Sequence, residues 1–487
     1  MFSNFDSLAF NNPYYINKNG ISVFNSFDKV INESEDSKLD PVAIIEMLSK
    51  GYCFGDRTLI KNIKRTPWMA KPTENMKEWE FYNLPSHGSK NQNEEDIADN
   101  LYLLLQNEIE TYCQGKNNIG ILLTGGMDSR ITAGILNNLK LNGKISTNIT
   151  ALTWGIENSR DVIYSKEIAN SFEWNWEHIN LSSNNLLENI NINSEIGCEV
   201  SPIHLHAISR VRSFNNLDCI IASSFGDSIG RAVYSGRHIS QLSNNKKYIK
   251  NWFFLLNKDF YQNNKATAFR DLENYRLNYH RNTESQYLEI EQQAHYMRRM
   301  LNPCIGIINK NIPTYQSFSS PEVYGYMWSI NSDRRNNKIY SILINKHIKN
   351  LIHIPWSKTG ISYNKQTGIP DKYLKNYHLY HSWINNELFD FLMSELNSTV
   401  FDNLTMFNKR AFYNAVQANQ KLTKEKLTRV DEILVWSVSL ANMIKKFNID
   451  VGFEKSLTSP FDTFNSYLTK PYLHFFEQGL SFKKLFK

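Results

Sequence analysis

Between Leu123 and Ser129 the chain reads Leu-Thr-Gly-Gly-Met-Asp-Ser. Two adjacent glycines let a backbone turn tightly and point its N–H groups at an anion. Thr124 and Ser129 add hydroxyl donors, and Asp128 supplies a hard oxygen of the kind Mg²⁺ takes. A helix that begins directly after such a turn offers uncapped amides and the positive end of its dipole. The chemistry is that of a cradle for nucleotide phosphates. The spacing matches neither G-x-x-x-x-G-K-[ST] nor G-x-G-x-x-G, which disfavours a Walker-type NTPase and a dinucleotide site. A Gly-Gly turn alone would read as a βα connection with Asp-Ser capping the helix. Six loop positions between an apolar strand and a helix carry the nucleotide reading.

The elements around this loop alternate. Ile119–Leu123 is a continuous apolar run, as in a strand buried on both faces. Ile131, Ile135, Leu136 and Leu139 then fall on one helical face. Further strands are expected at 147–154, 176–181 and 218–222, with helices at 161–172 and 203–213 and a loop between 181 and 203. A helix with Ile97, Leu101, Leu104, Leu105 and Ile109 on its stripe is expected over 96–113. Strands alternating with helices predict an α/β, doubly wound parallel sheet. After about 240 the strand signals fade into amphipathic helices, such as 430–444. Residues 11–70 hold short apolar runs broken by Asn12-Pro13, Asn19-Gly20 and Gly51, with a strand at 20–24. The polar stretch 85–95 reads as a linker or exposed loop.

Composition bounds the class. The 487 residues suit two or three domains, and 41% hydrophobic with 21% charged residues can bury a core. No apolar run reaches the roughly 18 residues of a membrane span, and MFSNFDSLAF lacks the basic start and apolar core of a secretory signal. Cys53, Cys113, Cys198, Cys219 and Cys304 are scattered, odd in number and free of C-x-x-C spacing. That argues for a reducing, cytoplasmic setting and against zinc. The net charge of +6 is spread thinly, without the basic face of a nucleic-acid binder.

The loop is similar to the S-G-G-x-D-S pyrophosphate loop of the N-type ATP pyrophosphatases (PP-loop enzymes), which adenylate a substrate and release pyrophosphate. Further segments resemble the asparagine synthetase family, in the same order. Gly51-Tyr-Cys-Phe-Gly-Asp-Arg-Thr-Leu-Ile-Lys-Asn-Ile-Lys-Arg65 is similar to G-Y-x-x-G-x-R-T-L-F-x-G-I-x-x-L. Thr153-Trp-Gly155 and Asp161–Ala169 resemble the second strand and helix, and the family's strand end borders the adenine. Ser223-Ser-Phe-Gly-Asp227 stands where the family has S-G-E-G-x-D-E, with Ser228 in place of the glutamate. Ile354-Pro-Trp-Ser-Lys-Thr-Gly-Ile361 resembles the late K-x-G-F segment. The resemblance spans most of residues 10–445, and the loop is its most specific part.

The resemblance implies a HUP-like sheet with a helical C-terminal part. It also implies ATP and Mg²⁺ as cofactors. ATP and pyrophosphate would meet Leu123, Thr124, Gly125, Gly126, Met127, Asp128, Ser129, Trp154, Gly155, Gly226 and Lys358. Asp128 and Asp227 would hold Mg²⁺, and Lys358 with Asp128 would carry the catalysis. Residues 1–85 would be a truncated, β-rich remnant of the family's glutaminase domain, 86–95 a linker, and 96–487 the ATP pyrophosphatase domain.

Three departures from the family pattern stand out. Position 2 is Phe where glutamine-using members carry a nucleophilic cysteine, and Cys53 is the nearest thiol, so glutaminase activity is not expected. The glutamate of E-x-R-x-P-F-L-D falls on Pro313, while Glu289, Glu291 and Glu322 read as solvated helix residues. Arg130 replaces the commoner serine after Asp-Ser and reads as an anion contact or a surface ion pair. His204-Leu-His206 reads as a loop or core pair, and the basic tail 481–487 as a solvated or packing segment.

The expected activity is adenylation of a small-molecule or peptide carboxylate and transfer of the acyl group to an amine or ammonia. A specialised biosynthetic pathway is favoured. A separate glutaminase or pathway protein would be the nitrogen source in one version, and a homodimer is admitted. A degenerate synthetase-like subunit and an RNA-modifying PP-loop enzyme remain open alternatives.

Overall fold

The computed structural model describes residues 12–362, 368–422, 426–452 and 459–485. The first eleven residues, Phe2 among them, and the side chains of the basic tail from Ser481 lie outside the described residues.

A five-stranded parallel sheet organises the chain. Its strands are β1 (Asn118–Leu122), β2 (Asn148–Gly155), β3 (Asn175–Asn180), β4 (Cys219–Ala222) and β5 (Thr314–Gln316), in the order 5-4-1-2-3. The chain starts in the middle, winds outward through β2 and β3, then returns to the other side of β1. The crevice beyond the C-terminal ends of β1 and β4 is therefore the topological switch point, where open α/β sheets bind their ligands.

Both sheet faces are covered, which is why β1 reads as unbroken apolar sequence. Ile119 and Ile121 enter one core with Ile149, Ala151, Cys219 and Ile221. Leu122, Leu152, Ile220 and Ala222 enter the other. The first core takes α1 (Glu94–Cys113) and α2 (Met127–Leu141), with α3 (Arg160–Ser171) beside them. The second takes α4 (Ser183–Glu195) and the late helix Arg429–Phe447.

Two elements were not foreseen. α4 fills a stretch expected to be loop. Its sequence is rich in asparagine, but a reciprocal Ser182–Asn185 capping box starts it, and Leu186, Asn189, Ile190 and Asn193 are buried. The helix expected at 203–213 shrinks to a 3₁₀ turn, Pro202–Leu205, and one helical turn, Ile208–Val211. β5 is three residues long and pairs in parallel with Ile220–Ala222, too short to show a period.

The N-terminal region is small and β-rich: Tyr14–Asn17 pairs with Ile21–Phe24 and Lys64–Arg65, and Ala70–Pro72 with Trp79–Phe81. Between them runs the helix Pro41–Lys50, capped by Asp40, which accepts from Val42 N–H at 2.9 Å, and closed by Gly51 at φ 87°. Residues from Tyr14 to Ile63 share their core with the sheet and the late helices, and Trp68 and Met69 enter the core on the opposite face.

The stretch read as a linker is bound down. Gly88 N–H donates to Trp328 O at 2.7 Å, Lys90 N–H to Ser329 O at 2.8 Å, and Asn331 N–H back to Lys90 O at 2.8 Å. His87 is buried, stacked on Trp328 at 4.3 Å and bonded to Glu289 at 2.7 Å. Most side chains of the stretch are exposed, as an exposed loop implies, and the backbone pairing beneath them has no signature in composition.

Candidate active site at the switch point

The Thr124–Ser129 loop leaves β1 and enters α2 as the residue types require. Gly126 is the N-cap and brings no side-chain cap, so the first amides of α2 are left for a ligand. Thr124 and Ser129 close the turn with hydroxyls 3.2 Å apart, and Thr124 Oγ1 accepts from Gly126 N–H at 3.1 Å. Gly125 N–H donates to Asp161 Oδ1 at 3.1 Å. A side chain at Gly125 would collide with Tyr164 at 2.8 Å and Ser357 at 2.9 Å, so the loop needs glycine there. Leu123 and Met127 are buried anchors on either side.

β2 lies beside the loop. Leu123 N–H donates to Leu152 O at 2.9 Å, and Thr153 Oγ1 donates to Leu123 O at 2.9 Å. Trp154 and Gly155 end that strand, with the Trp154 ring 5.9 Å from the His206 imidazole. Burial and the neighbouring His204 and His378 pull the His206 pKa down to about 3, and it serves as a neutral ring.

β4 brings the second carboxylate. Gly226–Gly230 forms a π-helical turn directly after the strand, a geometry that recurs at functional sites. Gly226 packs against Asp128 so closely that a Cβ there would fall 2.5 Å from Asp128 Oδ1. Asp128 Oδ1 is buried and has no hydrogen-bond partner. Asp227 stands beside it, 43% exposed against 20% for Asp128.

A cation joins the two acids. Arg231 pairs with Asp227, approaches Asp128 Oδ2 at 3.5 Å, and donates to Asn337 Oδ1 at 2.8 Å. Its guanidinium lies over the Tyr340 ring at 4.7 Å, and Tyr340 donates its hydroxyl hydrogen to Gly226 O at 2.8 Å. Burial pushes the Asp128 carboxyl up, and Arg231 pulls it back toward ionisation. Sequence reasoning missed Arg231. Its one signal was its place four residues after Asp227, on the same side of a turn.

The late segment completes the crevice. Ser357 N–H donates to Gly125 O at 3.1 Å and so lays Lys358 beside the phosphate loop. The Lys358 ammonium stands 5.3 Å above the Trp356 ring at the exposed rim, and partial burial with Arg231 nearby draws its pKa down. Arg130 is the fastener. It is fully buried and donates to the carbonyls of Leu351, Ile354 and Pro355 and to Gly125 O. The expected roles of Arg130, an anion contact or a surface pair, are both replaced by this one.

The residues fit a divalent ion bound with nucleotide. Among the described residues no cluster of three metal-ligating side chains exists. Two carboxylates, one with an orphaned buried oxygen, suit the habit of Mg²⁺, which takes one or two carboxylates and completes its shell with water and phosphate oxygens.

The acids near the missing family glutamate are engaged elsewhere. Pro313 leads into β5 and its carbonyl accepts from Ile220 N–H at 2.8 Å. Glu289 and Glu291, expected to be solvated, are buried: Glu289 binds His87 and Arg335, and Glu291 binds Arg276 at 2.7 Å. Glu322 is exposed, as expected.

Residues 100–303 match the asparagine synthase family model. That match, over a domain built on the doubly wound sheet, supports an asparagine synthetase-like family member and, in general, the ATP-dependent amide-forming ligases. No curated protein matches the chain. Among the described residues no helix is long and apolar enough to cross a membrane.

Proposed function

We propose that the protein adenylates a carboxylate with ATP, releasing pyrophosphate, and passes the acyl group to an amine or ammonia with loss of AMP. The observation that carries this reading is the convergence of Asp128, Asp227 and the Lys358 segment on one phosphate loop. The amides opening α2, with Thr124 and Ser129, cradle the pyrophosphate. Asp128 and Asp227 would hold Mg²⁺, which neutralises the phosphates when bound. Trp154 and Gly155 border the base. The substrate carboxylate attacks the α-phosphorus, and Lys358 offsets the negative charge that develops there. The amine then attacks the carbonyl carbon of the acyl-adenylate: the C–N bond forms, the acyl C–O bond breaks, AMP leaves with that oxygen and its electron pair, and the nitrogen gives its proton to solvent.

Nitrogen does not come from a glutaminase of this chain in our reading. Cys53 is fully buried, and burial pushes its thiol well above the ordinary value, the opposite of a nucleophile. Residues 14–85 act instead as a platform packed on the sheet. A second substrate's amine, free ammonia or a separate glutaminase would serve. Five free thiols support a reducing, cytoplasmic setting.

ATP–pyrophosphate exchange tests this directly. Purified protein with Mg²⁺ is screened against pools of amino acids, peptides and uronic acids. Exchange that depends on one pool and disappears in Asp128→Ala establishes adenylation. Failure to bind Mg-ATP at all sinks the reading and leaves a degenerate subunit.

A further inference from the structure

Another cavity, of about 380 Å³, shares no lining residue with the switch-point crevice. It lies between the N-terminal region and the helix Asn302–Asn309. That helix runs into the start of β5, where Asn309 Oδ1 accepts from Thr314 N–H at 2.8 Å. The phosphate loop leaves the end of β1, so the two sites belong to opposite edges of a parallel sheet.

Three cations line this cavity: Arg65, Arg298 and Lys310. Arg65 is answered, with Nε at 3.1 and 3.2 Å from the Glu199 carboxylate and Nη2 at 2.5 Å from the Tyr14 hydroxyl. Glu199 also pairs with Arg299. Arg298 is not answered. It is 1% exposed and spends Nη2 on Asn12 Oδ1 and Thr66 O. Among the described residues its Nε and Nη1 are buried without a partner. A buried guanidinium that hydrogen-bonds no carboxylate is rare and costly. Burial, with Arg299 and Arg65 close by, drags its pKa down to about 10. Lys310 is lowered too, by burial and by Arg65.

Gly306, on the helix that leads to Lys310, lines the cavity as well. It sits inside a helix, where glycine costs about 1 kcal/mol against alanine, and the space its Cβ would enter is empty to 4 Å. Room is kept beside unbalanced positive charge.

We propose that this cavity binds a small organic oxyanion, a carboxylate or phosphate ester of about monosaccharide size, at a site separate from adenylation. The anion would face Lys310 and the field of Arg298.

Calorimetric titration of the full chain at constant ionic strength tests it, with inorganic phosphate, succinate and glucuronate as probes. At least one binds the native protein. Lys310→Gln weakens that probe about ten-fold, the loss of one charge-assisted bond. Gly306→Leu, which fills the cavity without touching a charge, abolishes it. Mg-ATP binding stays unchanged in both variants, which separates this site from the reading above. Preference for phosphate or for a carboxylate probe identifies the anion class. The proposal is overturned if no probe binds, or if Gly306→Leu binds as well as the native protein. Should Gly306→Leu not fold, unchanged affinity in Lys310→Gln overturns it.

Discussion

The guanidinium of Arg130 donates a 2.6 Å hydrogen bond to the carbonyl of Ile354, tying the helix that opens after Gly126 to the segment that carries Lys358. Two parts of one site, more than two hundred residues apart in sequence, are held in register by one buried side chain. Arg130→Met leaves the carbonyls of Gly125, Leu351, Ile354 and Pro355 without this donor. At roughly 1–3 kcal/mol for each buried unsatisfied group, denaturant unfolding should show a loss of several kcal/mol. Pyrophosphate exchange should fall through kcat more than through the KM for ATP, because Lys358 is misplaced while the loop remains. A variant of native stability would refute the fastener.

Arg231 fills the cation position between Asp227 and Asp128 in the ligand-free protein. A metal ion entering alone must displace it. Arg231→Gln is therefore expected to raise the affinity of the nucleotide-free protein for Mn²⁺ about ten-fold, one charge-assisted contact, measured by electron paramagnetic resonance. Asp128→Asn and Asp227→Asn should each lower it. Equal Mn²⁺ affinity in the native protein and Arg231→Gln would dismiss the competition.

Gly226 and Asp128 leave no space between them. Gly226→Ala must push the Asp128 side chain aside, since the added Cβ would lie 2.5 Å from Oδ1 and 2.6 Å from its own Cβ. Overpacking of this kind costs about 1–3 kcal/mol, and a displacement near 1 Å costs on the order of 100-fold in rate. The expected result is a folded protein with a modestly lower Tm that has lost nearly all exchange. Native exchange rates in Gly226→Ala would count against Asp128 as a ligand.

His381 and Asp431 set a pH dependence away from the site. His381 Nδ1 lies 2.7 Å from Asp431 Oδ2, and Asp431 is fully buried. Burial pulls the imidazole down, but the Asp431 bond outweighs it and the pKa ends above its ordinary 6.5. A raised folded value means stability that is complete below about pH 6.5 and is lost as pH rises through that higher value. Scanning calorimetry across roughly pH 6 to 9 should show Tm declining in the native protein. In His381→Gln this part of the slope should vanish. A slope that survives the substitution would assign it to other groups.

The sheet was legible because it is buried on both faces: β1, β2 and β4 announce themselves as apolar runs, and the phosphate loop carries its chemistry in its residue types. What stayed hidden was held by single interactions. α4 depends on a capping box in an asparagine-rich stretch, and β5 on three ladder positions. The 85–95 strap depends on backbone bonds that any polar residues could make. In the site, Asp128 stood out by its place in the loop, and Asp227 and Lys358 by the family resemblance; the structure brings their segments to one crevice. The work of Arg130 did not stand out, because its acceptors are carbonyls, which have no signature in sequence. Arg231 was passed over for a similar reason: its partners are set by the turn after β4, and turn geometry is not written in residue type.

The strap through His87, Gly88 and Lys90 has a consequence for how the protein can be taken apart. Modules that hang on a tether can be swapped, duplicated or shed by simple cuts in a gene. Here the join is sewn to the backbone of Trp328, Ser329 and Asn331, and its histidine is stacked deep inside the larger body. Excising the leading residues would therefore tear open the structure that remains, because their removal takes the strap and its buried histidine with them.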